Sequence, residues 1–494
     1  MKYEQIDNLL LQIKNETNQG GNTRIRVYNA LSAILEYAKA IGIDNSNDDI
    51  IRQLNTLQQK LSQHEESSKA HEAIFQEIKN IIKEKIGAIT PEAGEKFYNK
   101  DSLRRLNYVS DFESDTTTFE GGAFAFNPIN SAKMDKLTSI PNSLFKRSNL
   151  SYGSFKSATM IDTAAFAETG IYYINKPDTK EEWNLLLPNV EGVKSYAFYG
   201  CHSLTEVYLP KAIGVSNWAF ADCIRLKKLE LPVCDTFLFS AVANCIQLEE
   251  LILPMQRSMY KAGYERLFGC TGLKKVVMPV LYEMDEFLNN MFADCIAIEE
   301  VDIRTMKFIP SHFFSGKKKL HTVDISGAGY INRNAFDGCT SLKNITIKNA
   351  VAIWEYTFNN CHSIKELSLP RVHTFARKTL ANMDSLTTLT IGAPVINSWD
   401  YSTLDGAVYN CPSLTTINVP DGITLLDKQV NGLSFVRCPN ISKDSVLGLF
   451  NKLADNTGKS VKNIALEAVV LKNITDEELN IAKNKNYNIV RLGE

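Results

Sequence analysis

Neither sign of charge dominates this chain: 54 Lys and Arg stand against 56 Asp and Glu. That balance excludes a polybasic nucleic-acid binder and a long acidic tail, so nucleic acid is not an expected partner. There is no run of about 18 uncharged apolar residues, so no membrane-inserted helix is expected. The opening MKYEQIDNLLLQIKNETNQGG carries charge throughout, with no basic stretch leading into an apolar core and a small-residue cleavage site. No signal peptide is therefore expected. The chain is expected to stay in a reducing cytoplasm or to leave it by lysis as part of a particle. Histidine is scarce, at 7, and scattered. There is no G-x-S-x-G, P-loop, H-E-x-x-H or EF-hand loop. There is no C-x2-C pair either, so neither a metal nor a cofactor is expected.

The first 90 residues carry helical spacing. Ile6, Leu9, Leu10 and Ile13 mark one helix, and Val27, Leu31, Ile34, Leu35, Ala38 and Ile41 a second. From Ile50 the spacing becomes a heptad: Ile50, Leu54, Leu57, Leu61, His64, Ser68, His71, Phe75, Ile78, Ile82, Lys85, Ile89. Such a seam buries itself only against another helix, so a homo-oligomeric coiled coil is expected; the alternative is a hairpin folding back on residues 1–43. Residues 91–118 are polar and aperiodic and read as a linker.

The ten Cys organise the middle. Nine occupy one motif, Phe-x-x-Cys-x-x-Leu, at 201, 223, 245, 270, 295, 339, 361, 411 and 438, with Lys317 and Met383 in the same slot. The intervals are 22, 22, 25, 25, 22, 22, 22, 22, 28 and 27. Weaker copies lie upstream, with Thr179 as the slot residue 22 before Cys201, and Ser148 and Thr169 heading degenerate ones. Cys234 is off register. Phe recurs three residues before the slot, and each slot is followed by a strand pattern such as Leu226-Lys-Lys-Leu-Glu-Leu-Pro232. A unit of 22 residues cannot bury its apolar columns alone; stacking neighbours buries them as ladders. With strands about 4.8 Å apart, some 12 to 14 turns make an arc of roughly 60–70 Å with one parallel sheet along it. The Cys then read as small buried apolar side chains, with neither disulfide nor zinc expected.

These units resemble the BspA-like class of leucine-rich repeat, with Val193-Lys-Ser-Tyr-Ala-Phe198-Tyr-Gly-Cys201 and Val215-Ser-Asn-Trp-Ala-Phe220-Ala-Asp-Cys223 fitting its pattern over about 119–440. The class implies adhesion or ligand binding. The closing residues, Ser442–Val446, Leu453–Lys459 and Ile474–Lys485, resemble the final segment of many such proteins from gut bacteria and their phages. They read as two amphipathic helices around a short strand, Ala465–Leu471, capping the last turn. Asn22-Thr-Arg-Ile-Arg-Val-Tyr-Asn-Ala-Leu31 resembles attachment segments of appendage proteins of crAss-like phages. That resemblance implies a virion location, a trimer as the favoured oligomer, and contact with other virion proteins through residues 1–43. The expected fold class is α+β: helices and coiled coil over 1–90, linker 91–118, solenoid 119–440 and an α/β cap 441–494.

Two features bear on binding. On the strands, outward positions read Lys227-Lys228, Glu249-Glu250, Lys274-Lys275 and Glu299-Glu300, a ladder of opposite charges that supports the stack. From His321 onward the column is expected to turn to Thr, Asn and Ser. The long turns 254–270, 279–295 and 392–411 carry Met255, Met259, Tyr260, Leu281, Tyr282, Met284, Trp399 and Tyr401. Insertions on one face of a solenoid often map to its binding face, and aromatic clusters suit a glycan ring or protein partner. Tyr260, Tyr282, Trp399 and Tyr401 are therefore the candidate ligand-binding residues, for a bacterial cell-surface glycan or protein. The structural alternative is that they tuck into the loop bases or meet a sister chain. A paired-carboxylate enzyme drawn from Glu249, Glu250, Glu299, Glu300 and Asp302 ranks below both, because lysines match the Glu pairs. A host-recognition module, a particle decoration protein and a bacterial surface adhesin remain, in that order.

Overall fold

The computed structural model describes residues 111–177, 183–259, 267–284, 291–398, 406–426 and 433–493. The expected helices and coiled coil, with the seam Leu54, Leu57, Leu61, His64, His71, Phe75, Ile78 and Ile82, lie outside the described residues.

The described residues wind as a coil of short parallel strands. Its principal sheet has twelve strands, from Asp111–Glu113 at one end to Asn344–Thr346 at the other, and a three-stranded sheet (Glu366–Leu369, Thr388–Ile391, Thr416–Asn418) continues the same column. Two-residue strands on another side, such as Gly192–Val193, Gly214–Val215 and Thr236–Phe237, pair in their own ladders. All pair parallel and in register: Leu229 faces Val207 on one side and Leu251 on the other. The alternation is the reason. In the triplets from Glu206–Tyr208 to Thr322–Asp324 the middle residue is buried and its neighbours are half-buried, as in Lys228-Leu229-Glu230, so a slip of one residue would turn lysine inward.

Inside, the Phe column stacks ring on ring. Phe124, Phe145, Phe166, Phe198 and Phe220 follow with centroids 5.3, 5.4, 5.1 and 5.1 Å apart, and Phe292, Phe314, Phe336 and Phe358 repeat the pattern. Each coil then turns a corner on a left-handed residue just before the Cys slot: Gly200 (φ 67°), Asp222 (58°), Asn244 (60°), Gly338 (74°), Asn360 (61°). Gly, Asn and Asp adopt that conformation at little cost. The amides also stack across turns: Asn382 Nδ2 donates to Asn359 Oδ1 at 2.8 Å, and Asn410 Nδ2 to Asn382 Oδ1 at 2.7 Å.

Three details correct the sequence reading. Thr179, expected in the slot before Cys201, lies outside the described residues. Thr169 holds the slot before Cys201, with Oγ1 3.3 Å from Cys201 Sγ and Phe166 stacked on Phe198. The interval is thus 32 residues, and the excess forms an additional strand. Along the sheet the order is Tyr152–Ser154, Asn184–Leu186, Tyr173–Ile174, Glu206–Tyr208, so the earlier strand lies beyond the later one. Asn175 makes this possible: its side chain accepts from Leu187 N and donates to Leu187 O and Tyr208 O, standing in for a peptide in the ladder. Second, the parallel sheet is not continuous. Ile345, the inward residue of Asn344–Thr346, is only half-buried where its counterparts are buried, and among the described residues no ladder joins this strand to Glu366–Leu369. Third, the cap strand is Lys462–Glu467, not Ala465–Leu471, because residues from Ala468 turn into a one-turn helix.

The cap comprises helix α1 (Lys443–Lys452), helix α2 (Ala468–Leu471), helix α3 (Asp476–Lys483) and a last strand, Tyr487–Leu492, paired along its length with Lys462–Glu467. Ser442 caps α1, and Thr475 with Glu478 forms a capping box on α3. The Lys485 ammonium donates to the carbonyls of Phe450, Asn451 and Leu453 at 3.2, 2.7 and 2.8 Å, satisfying the free end of α1. Among the described residues no helix is long and apolar enough to cross a membrane.

Candidate functional site

The cysteines form a column but not a reactive centre. All ten are free and buried. The slot thiols reach the carbonyl three residues before the preceding slot: Cys223 to Phe198 O at 3.2 Å, Cys245 to Phe220 O at 3.1 Å, Cys339 to Phe314 O at 3.0 Å, Cys361 to Phe336 O at 3.2 Å. The thiol is therefore both a small apolar filler and a weak donor at a buried corner. Burial pushes the thiols of Cys295 and Cys339 up to about 12, so they stay protonated at neutral pH and are poor nucleophiles and metal ligands. Cys234, off register in sequence, is buried as well and reaches Ile213 O at 3.5 Å. Lys317 fills the slot with an amine, donating from Nζ to Ala293 O at 2.8 Å, and burial lowers its pKa.

The outward face of the principal sheet carries the charge ladder. Glu206, Lys228, Glu250, Lys275 and Glu300 are lateral neighbours. Lys274 meets Glu249 at 2.9 Å, Lys275 meets Glu300 at 3.4 Å and Lys228 approaches Glu250 at 3.9 Å; Arg304 pairs with Asp302. These are exposed pairs worth about 0.2–1 kcal/mol each. Of the carboxylates weighed as catalytic, Glu249, Glu250, Glu300 and Asp302 are held in these pairs, Glu299 lines a hollow, and none of the described carboxylates is buried. The expected turn to Thr, Asn and Ser from His321 onward is interrupted in both columns. One reads Thr322, Asn344, Glu366, Thr388 and Thr416, and the other His321, Lys343, Lys365, Thr387 and Thr415.

Of the candidate ligand-binding residues, Tyr282 is described. It is 38 % exposed, and the Lys307 ammonium lies 5.5 Å from its ring centroid. Tyr260, Trp399 and Tyr401 lie outside the described residues. Met255 is exposed on the same stretch, whereas Leu281 is fully buried, since alternation turns it inward beside Tyr282. The long turns also break the second ladder: Ser258–Met259 pairs with Glu283–Met284 as a separate two-stranded sheet.

Two of the hollows that the described residues form on the sheet face involve its charged columns. One, of 310 Å3, lies where the strand order inverts and is lined by Lys176, Pro177, Tyr208, Lys228 and Glu230 among others. Its lysines are neutralised: Lys176 meets Glu206 at 2.5 Å and Lys228 meets Glu230 at 2.9 Å. The other, of 520 Å3, is lined by Glu299, Lys319, His321, Ser341, Lys343 and Asn344. The only sequence signal for it is the end of the Lys–Glu alternation at His321.

A family model described as a BspA-type leucine-rich repeat region matches in 6 copies, over residues 71–187, 191–321 and 307–442. Among solved structures, a leucine-rich repeat protein from Bacteroides ovatus is 16% identical, with 65% of this chain and 92% of that chain covered and a TM-score of 0.30. A leucine-rich cell surface protein from Faecalibacterium prausnitzii is 14% identical (78% and 88% covered, TM-score 0.22). An internalin from Listeria monocytogenes is 13% identical (79% and 84%, TM-score 0.32). The comparison with curated proteins finds no match. With the stacked Phe and Cys columns, the parallel one-register ladders and a repeat model matching more than half its length, the chain belongs to the BspA-type leucine-rich repeat family.

Proposed function

We propose that this protein is a non-enzymatic recognition module, whose solenoid binds a glycan or protein on a bacterial surface. The observation that carries the reading is the outward sheet face. It is long and polar, many of its charges pair with one another across or along the strands, and among the described residues its hollows are shallow and no carboxylate is buried. Such a surface suits an extended partner better than a small substrate being turned over. The lengthened turns, with Tyr282 exposed on one of them, add aromatic contact area of the kind that recognition uses.

In this reading the module is an appendage of a phage particle. Residues 1–43 join it to other virion proteins, and the heptad over residues 50–89 makes it a trimer, so that several solenoids act together and avidity replaces single-site affinity. The support is the sequence of Asn22–Leu31 and the heptad seam. Packing of the solenoid on sister chains, as in a decoration protein, is the competing role.

The test uses the full chain. Labelled protein is expected to attach saturably to host cells, and joint alanine replacement of Tyr260, Tyr282, Trp399 and Tyr401 is expected to weaken attachment at least tenfold. Unchanged attachment removes those residues from the site. No attachment to any candidate host, with solenoids found buried against one another in particles, favours the decoration role. Light scattering is expected to give three chains per particle in solution.

A further inference from the structure

The geometry points to the hollow at Glu299, Lys319, His321, Ser341, Lys343 and Asn344 as a binding site for a sugar bearing one acidic group, such as a uronate unit of a polysaccharide. This rests on the recognition reading above for its biological occupant.

The argument starts from charge. Over the preceding turns every lysine column on this face is answered by glutamate in the next turn, as in Glu249–Lys274 and Lys275–Glu300. At His321 that alternation stops. Backbone hydrogen bonds place Glu299, His321 and Lys343 on successive turns: His321 N donates to Glu299 O at 3.0 Å, and Lys343 N to His321 O at 3.1 Å. Lys319 stands two residues before His321, and Lys318 and Lys365 extend the basic area. None of Lys318, Lys319, Lys343 and Lys365 has a carboxylate partner among the described residues. All four are exposed. Uncompensated lysines converging on a concavity attract an anion, most strongly at low salt.

The rest of the lining narrows the anion. Ser341 and Asn344 offer hydroxyl and amide groups. Glu299 is a carboxylate that repels a second anion and accepts from hydroxyls. His321 Nδ1 lies 3.0 Å from Thr322 Oγ1, which leaves the far edge of its ring for a ligand. A compact polyanion would meet Glu299 unfavourably, whereas a hydroxylated ring with a single carboxylate finds a partner for each of its groups. The 520 Å3 hollow lies within the range of about 300–1,000 Å3 typical of small-ligand sites. The principal sheet ends at this place, since Asn344–Thr346 makes no ladder to Glu366–Leu369 among the described residues.

Binding of the full chain to polygalacturonate, with dextran as the neutral control, tests this by affinity electrophoresis and calorimetry. Wild-type protein is expected to bind polygalacturonate and not dextran, about tenfold less tightly at 0.5 M than at 0.05 M salt, where screening lengths shrink to a few ångström. The K319E/K343E variant is expected to bind at least tenfold more weakly, with an unchanged denaturation profile, whereas K211E/K472E, reversing two distant lysines, is expected to bind as wild type does. Equal binding by K319E/K343E overturns the placement. No binding of polygalacturonate by wild type overturns the proposal, and competition by inorganic sulfate as strong as that by galacturonate overturns the sugar assignment. Loss of polygalacturonate binding with cell attachment intact supports this site and separates it from the recognition reading, which the attachment assay tests by itself.

Discussion

Regular turns and lengthened turns of this solenoid differ in what they keep. Between Phe198 and Cys245 every turn has 22 residues; Phe198 stacks on Phe220 before the column passes to Val242, and the Cys column and both strand ladders run unbroken. Between Cys245 and Cys295 the turns have 25. There Leu267 stands in the Phe column, and the second ladder shrinks to an isolated pair. Two things survive. The principal sheet keeps its register, with Leu251, Val276 and Val301 side by side, and the thiol of Cys270 still reaches Val242 O at 3.2 Å. The lesson is that the sheet and the Cys corner set the rise of the coil, while the opposite side absorbs changes of length. A surface insertion costs little loop-closure entropy, whereas a slip in the sheet would bury charge.

That comparison can be broken by mutation. The largest effect is expected in a regular turn: Phe220→Ala removes a fully buried ring stacked at 5.1 Å on Phe198 and should cost about 3–5 kcal/mol. Leu267→Ala, the same column position in a long turn, should cost about 2 kcal/mol, since no aromatic stack is lost. Urea denaturation followed by circular dichroism measures both, and equal losses would remove the distinction.

A smaller effect of opposite sign is expected at Lys317→Met, which gives this slot the side chain Met383 already uses. The variant should gain about 1 kcal/mol near pH 7 by removing a buried ammonium. Burial lowers the pKa of Lys317 in the folded chain, so on raising the pH the folded protein releases this proton before the unfolded one does. Wild-type stability therefore rises with pH between the two pKa values, and the advantage of methionine should shrink across that alkaline window. An advantage independent of pH would show that the amine is not penalised by burial. The smallest effect is expected on the outward face. Lys275→Glu places three carboxylates side by side with Glu250 and Glu300 and should cost about 1 kcal/mol at low salt, fading at 1 M.

Much of the fold was legible in the chain because a solenoid writes its contacts at a constant spacing. Phe198 touches Phe220 for the same reason that Cys201 precedes Cys223 by 22 residues. Departures from the period were not legible. Thr169 was read as heading a degenerate copy, but the 22-residue count favoured Thr179 as the neighbour of Cys201, because whether an excess segment stays a loop or enters the sheet depends on Asn175 bonding to two strands distant in sequence. The cap strand was misplaced by a few residues, as Ala468–Leu471 suits strand and helix equally by composition. The left-handed corners, written as Gly, Asp or Asn before Cys, were present in the sequence and went unread. Tyr282 was found as an exposed aromatic, but Leu281 was grouped with it although alternation turns it inward.

Residue order alone determined the period, the inward columns and the alternating charges, since each follows from burial repeated at one interval. Only the tertiary structure decided which strands are neighbours around Asn175, where the sheet stops at Asn344–Thr346, and that Lys319, His321 and Lys343 converge on one hollow. Those outcomes depend on contacts between turns, and a periodic sequence describes its average turn far better than its exceptions.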